Sequence, residues 1–468
     1  MSVLDPRVAV AFAEQIKSYP VEPPFDPPNP VYSLVQGILA EFRQPFEQML
    51  KGARLVVIKP NLVKHSRAGA AEGILAKATH GSVLRPIIDA VYRALGGKGR
   101  IVICDTPIET ADFAQTLEIT GIGPMVDILV KERGYPLEVL DLRRYCSVRR
   151  PGGQWRTEEL GGDPRGYVSI VLGAESEFLS LDGSAQNYHT LSDHGVEHLD
   201  PFTGEPGATN RFHYPGHHEY LISGTILAAD AVISVPKLKT HRKAGVTLSL
   251  KNTIGIVPDK LYMPHHRPGV FPDGDALPVL PDKSQVDKRL RRKRLNRYLA
   301  ALLGQRIIRV LLASGAGRVY DRVVPRGGGF IEWGDWYGND TLWRTILDLN
   351  KILLYADRQG CLQPGQQRGY FSLIDGIVGL EGEGPIGGEP KPAGVLIGGF
   401  SPLAVDGLGA RVMGFDPQKI RSLEKARELT AFRLGPTGWQ DIHVLGPVPH
   451  LAFLPPRGWL GFIERVGD

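Results

Sequence analysis

Residues 233–255 read ISVPKLKTHRKAGVTLSLKNTIG. With Ala231 and Val232 in front, the segment opens as AVISV, a short unbroken apolar run. That is the pattern of a strand buried on both faces. Lys237, Lys239 and His241 follow at once. Side chains two apart on an extended chain point to the same side, so a strand continued through this segment puts all three on one face. Lys251 and Asn252 come soon after. Like charges on one face repel, so the stretch is read as built to meet an anion.

Working outward, the same grammar recurs. RLVVI (54–58), RIVIC (100–104) and PLEVLDL (136–142) read as strands, separated by helical periodicity over 82–95 and 126–133. This β–α–β–α–β order predicts a parallel sheet with crossover helices. The rhythm returns with YFSLI (370–374), GVLI (394–397) and helices near 341–355, 403–413 and 417–429. The expected fold is α/β: a mostly parallel central sheet with crossover helices, a long irregular insertion and a second, smaller lobe. Expected units are an N-terminal arm and helix (1–50), a first α/β unit (51–144), an insertion or long loops (145–225), a core lobe (226–415) and a C-terminal helix and tail (416–468).

At 468 residues the chain exceeds one ordinary core. Its net charge of +5 is local. Residues 283–309 hold ten Lys/Arg against Asp287, a segment charge of +9, which leaves about −4 for the rest. Within 283–313 a basic helix is expected, charged first and aliphatic later, suited to an anionic membrane surface or a protein partner. It lacks interleaved aromatics, which argues against nucleic acid. The three cysteines, at 104, 146 and 361, are too scattered for a zinc ribbon or an iron–sulfur cluster. Reduced thiols, the absence of a leader pattern and the absence of a run of 18 apolar residues lead to the expectation of a cytoplasmic protein without a transmembrane segment.

The strand ends carry the chemistry. After VVI comes Lys59-Pro60-Asn61; after IVIC, Asp105; after VISV, the lysine block; after FSLI, Asp375-Gly376 and then Glu381 and Glu383. Open parallel sheets bind ligands beyond their carboxyl ends, so one shared cleft is expected. A strand-end lysine is often only a solvated loop residue and Asp-Gly often only a turn, but four such ends together favour a site. No GxxxxGK[ST] occurs and no GxGxxG follows the first strand, which disfavours an ordinary nucleotide loop.

The blocks VVIKPNLV, THGSVLRPIIDAVY, VISVPKLKTHRKAGVTLSLKNTIGIVP, DGIVGLEGEGPIGG and SPLAVDGLGARVMG resemble domain-of-unknown-function family 362 in the right order from about 54 to 415. The resemblance adds His80 and Asp406 to the motif residues. Some relatives carry a ferredoxin module; the cysteines here do not provide one. Thr79 is the expected cap of the helix that follows it.

The expected assignment has Lys59, His241 and Asp375 catalytic. Asn61, His80, Asp105, Lys237, Lys239, Lys251 and Asn252 would bind the ligand. Asp375, Glu381 and Asp406 would hold a divalent metal such as Mg²⁺. The ligand would be an anionic small molecule, phosphorylated or carboxylated, and the protein an enzyme acting on it. The alternatives are a binding or assembly protein for a nucleotide-like ligand, and a redox accessory protein. His265 and His266 are candidates to join the cleft. The His-rich segment 189–218 contains His194 and His198 at the spacing of a zinc pair, but a lid or substrate loop fits its Gly-containing sequence better.

Overall fold

The computed structural model describes residues 2–64, 71–149, 155–181, 188, 208–278 and 333–465. Both the basic segment 283–313 and the His194/His198 pair lie outside the described residues.

The strands are β1 (Arg7–Phe12), β2 (Leu55–Pro60), β3 (Arg100–Asp105), β4 (Leu137–Asp141), β5 (Tyr145–Arg149), β6 (Trp155–Glu159), β7 (Tyr167–Val171), β8 (His213–Tyr214), β9 (His217–Ser223), β10 (Ala231–Val235), β11 (Lys237–His241), β12 (Gly245–Thr247), β13 (Gly369–Glu381), β14 (Glu389–Gly399) and β15 (His443–Leu445). The central sheet has ten strands. Eight run in the order β15-β1-β14-β13-β10-β2-β3-β4, with β11 also beside β13 and β12 beside β11. The pairings along β13-β10-β2-β3-β4 are parallel, and β14 is antiparallel to both β1 and β13. The fold is therefore α/β with a mostly parallel sheet. Strands β5 and β6 pair apart from it, as do β7, β8 and β9.

The apolar runs have a simple cause. Leu55 and Val57 of β2 enter one core, with Val102 and Val232. Val56 and Ile58 enter the other, with Ile101, Ile103 and Ile233. Both faces of the sheet are covered, so neither can be polar. Helices Leu342–Tyr355 and Pro402–Met413 supply the first core. Helices Pro30–Glu41, Gly81–Leu95 and Ile122–Lys131 supply the second.

Two local expectations change. The N-terminal segment is more than an arm, because Arg7–Phe12 pairs with β14 and β15. Helix Gly81–Leu95 is capped by the His80 side chain, which accepts from the Ser82 N–H. Thr79 instead accepts from Asn61 N and donates to the Val235 carbonyl, tying β2 to β10.

One feature positions the site. From β2 the chain moves outward to β3 and β4; from β10 it moves the other way, to β13. The order reverses between β2 and β10, and a crevice opens at such a point. Lys59 ends β2 and Lys237 follows β10.

Candidate functional site

Two groups of side chains gather at these strand ends. The inner group is closed. Lys237 and Asp375 face each other in register on β11 and β13, with the lysine Nζ 3.0 Å from Oδ2 and both side chains fully buried. Tyr19 donates from its hydroxyl to Asp375 Oδ1 at 2.6 Å and accepts from Lys237. The His80 backbone N–H donates to the same carboxylate. The His80 ring stacks on Tyr19 at 4.3 Å. Burial, with Lys237 nearby, pushes the His80 pKa down to about 3, so this ring is neutral.

Beside it lies a second closed pair. Lys59 Nζ sits 2.8 Å from Asp105 Oδ1 and also donates to Asn252 Oδ1 and the Pro60 carbonyl. The backbone N–H groups of Leu62 and Thr106 complete the Asp105 carboxylate. Gly255 packs directly on this pair: a Cβ there would collide with both Asp105 Oδ1 and Lys59 Nζ. Asn252 links onward, accepting from Asn61 Nδ2 and donating to Ser234 and to the Lys59 carbonyl.

The outer group is open. A cavity of about 470 Å³ is lined by Asn61, Asp105, Lys239, His241, Lys251 and Asn252 of the expected set. His265 lines it too, together with Arg242, Lys243, Lys260, Glu109, Asp335 and the apolar walls Val63, Ile108, Ile254, Met263, Trp333 and Ile386. His266 is not on the wall. Lys59, Lys237, His80 and Asp375 are also absent from the lining and lie behind it.

The electrostatics of the cavity favour anions. Five cationic residues line it against three acids, and none of those acids is free. Asp105 is held by Lys59, and Asp335 by Lys243 and Arg242. Lys239 donates to Asn61 Oδ1 at 2.6 Å and to the Lys77 carbonyl, neither of them charged. Its pKa is driven well down by burial, then by Lys251 and Lys237. Lys251 has no hydrogen-bond or ion-pair partner among the described residues. Burial first, then Lys260 and Lys243, bring its pKa to about 7.

The two histidines on the wall are oriented oppositely. His241 Nδ1 accepts from the N–H groups of Lys243 and Ala244, so the neutral ring carries its proton on Nε2. His265 Nδ1 lies 2.8 Å from the Met263 carbonyl, which fixes the proton on Nδ1 and leaves Nε2 as an acceptor. Burial and the nearby lysines hold both rings neutral, His265 near pKa 3 and His241 well below its ordinary value.

The three carboxylates expected to hold a metal are not brought together. Asp375 and Glu381 stand six residues apart on β13, about 20 Å at the ordinary strand rise. Glu381 Oε2 accepts from Lys391 and from Leu454 N. Asp406 lies inside helix Pro402–Met413, and its oxygens accept from Ser249 N and Leu250 N. It thus anchors the turn that carries Lys251 and Asn252. Burial raises its pKa to about 7. Among the described residues no group of three or more His, Cys, Asp or Glu is placed to hold a metal ion.

Sequence reasoning missed Tyr19, Lys243, Lys260, Asp335 and Trp333. Lys243 stood in the opening stretch and Lys260 just beyond it. Nothing local distinguishes Tyr19 or Asp335, whose partners are distant in sequence. Among the described residues no single helix is long and apolar enough to cross a membrane.

No curated protein and no solved structure matches the chain. A family profile does, over residues 56–162 and 185–411, which takes in β2, β3, the lysine block, β13 and the Asp406 helix. With most of its length matched and every one of these strand ends inside the match, the chain belongs to the family described as Domain of unknown function (DUF362).

Proposed function

We propose that the protein is an enzyme acting on an anionic small molecule, phosphorylated or carboxylated, bound in the cavity at the strand ends. One observation carries this reading: Lys251 lines a cation-rich cavity and has no ion-pair partner among the described residues. A partly buried positive charge left unpaired is costly, and an anionic ligand would supply the missing partner. Arg242, Lys243 and Lys260 add to the attraction, and the apolar walls would hold an uncharged portion of the ligand.

The expected roles shift in this proposal. His241 and Lys251 meet the ligand, His241 as the N–H donor at a developing negative charge. Asn61, Lys239 and Asn252 complete the polar floor. Lys59–Asp105 and Lys237–Asp375 hold that floor in place from behind.

The test is thermal unfolding of wild type and Lys251→Met with inorganic phosphate, pyruvate and a panel of phosphorylated and carboxylated metabolites. Stabilisation of wild type that the variant loses supports the cavity as the site. Turnover of the stabilising compound supports an enzyme; tight binding without turnover returns the protein to the class of ligand-binding or assembly proteins. No stabilisation by any anion would sink the proposal.

A further inference from the structure

The lysines at these strand ends differ in one respect. Lys59, Lys237, Lys239, Lys243 and Lys260 each donate to a protein oxygen. Lys251 has no such acceptor among the described residues, and it lines the cavity. It sits at the end of the short helix Ser249–Asn252, whose first N–H groups are pinned by Asp406. Its backbone is fixed while its amine is left unengaged. An ammonium without an acceptor, crowded by other cations, is the costly form; the neutral amine is the form this site favours. A neutral amine in a partly apolar pocket is a nucleophile toward carbonyl carbon.

Resting on the anion-binding reading, we propose that Lys251 is a nucleophilic amine that forms an imine with a small anionic aldehyde or ketone. The lone pair of Nζ attacks the carbonyl carbon and a C–N bond forms. The carbonyl oxygen takes up a proton and the nitrogen gives one up, which yields a carbinolamine. The hydroxyl then gains a second proton and the nitrogen loses its remaining one; the C–O bond breaks, water departs and the C=N bond is complete, with nothing oxidised or reduced. Two neighbours suit these steps. His241 presents Nε2–H to the oxygen on which negative charge develops, and His265 presents a bare Nε2 that can accept a hydrogen bond from the reacting groups. Lys243 and Lys260 lie on the same wall and can hold the carboxylate or phosphate of the substrate. The depressed pKa of Lys251, about 7, agrees with this geometry.

The test is borohydride trapping on the full chain at pH 7, with pyruvate and pyridoxal 5′-phosphate as separate probes and peptide mass mapping as readout. Lys251 should be labelled roughly tenfold or more above the exposed Lys17, Lys51, Lys98 and Lys131. Inorganic phosphate should slow the labelling. Lys251→Arg, which keeps the charge but not the amine, should abolish it while leaving the exposed sites unchanged. Should that variant fail to fold, the wild-type labelling ratio and phosphate competition still decide. If phosphate or pyruvate stabilises the protein but Lys251 stays unlabelled, the imine is overturned and the anion site stands. If neither probe nor phosphate binds, both readings fall. Labelling of Lys251 that phosphate does not slow would overturn the anionic substrate class.

Discussion

Lys237 and Lys251 belong to one motif, yet they occupy opposite kinds of surroundings. Lys237 meets Asp375 across two paired strands, is covered by Tyr19 and His80, and is not on the wall of the 470 Å³ cavity. Lys251 lies fourteen residues further on, lines the cavity and meets no acid among the described residues. The difference teaches that a run of strand-end lysines is not one site. A lysine with a buried carboxylate opposite it is already neutralised and serves as scaffold. A lysine without one keeps an unmet demand for negative charge.

The most severe way to test this contrast is Asp375→Ala. It strands Lys237 as an unpaired buried charge, and the expected cost is about 3–5 kcal/mol in urea denaturation. The double variant Lys237→Met/Asp375→Leu should recover most of that loss. A single-variant cost below roughly 1 kcal/mol would erase the distinction between the two lysines.

Gly255→Ala probes the other closed pair. Its methyl group must displace Lys59 or Asp105, so a loss of about 2–4 kcal/mol is expected by the same measurement. A neutral result would mean that the pair yields easily and is not rigid support.

The open side should behave in the reverse sense. Lys251→Met should weaken phosphate binding by roughly tenfold or more, the scale of one charge-assisted contact, as read by calorimetric titration. The fold itself should gain by on the order of 1–3 kcal/mol at pH 6, discounted because the side chain is partly exposed.

That gain has a definite pH dependence. The folded pKa of Lys251, about 7, lies below its ordinary value of 10.5. Between those values the unfolded chain holds a proton that the native state has released, so wild-type stability rises with pH. The penalty is complete below pH 7 and fades toward pH 10.5. The advantage of Lys251→Met should therefore shrink over that window, a trend that paired denaturation curves would show. A constant difference would remove the claim that this amine is discharged by its surroundings.

The smallest effect is expected at Glu381→Gln. The Glu381–Lys391 pair is partly exposed and far along β13 from Asp375. Its loss should cost less than about 1 kcal/mol and leave phosphate binding unchanged.

Much of this was legible before any coordinates. The parallel strands announced themselves as unbroken apolar runs because both faces of the sheet are covered. The strand ends announced the crevice because polar residues followed each run. What stayed hidden was pairing. Whether a given lysine meets an acid depends on residues such as Asp375, 138 positions away from Lys237, and local pattern carries no record of such distances. The same holds for Tyr19, and for β1, whose sequence RVAVAF gives no sign of its neighbours. Asp406 enters through the family resemblance, as an expected metal ligand. Its partners belong to the turn that carries Lys251, which again only the folded chain reveals.

The place of β1 has a consequence for how the molecule is assembled. It lies between β14 and β15, which are formed by residues 389–399 and 443–445. During synthesis Arg7–Phe12 emerges long before either neighbour, each of which lies more than 370 residues further along the chain. Throughout synthesis this apolar strand has unsatisfied edges, a state prone to pairing with other chains. Closing a loop of this span is also slow on entropic grounds. Maturation of the central sheet is thus gated by the arrival of residues 389–445, and nascent chains stalled before residue 389 should be the ones that depend most on chaperones.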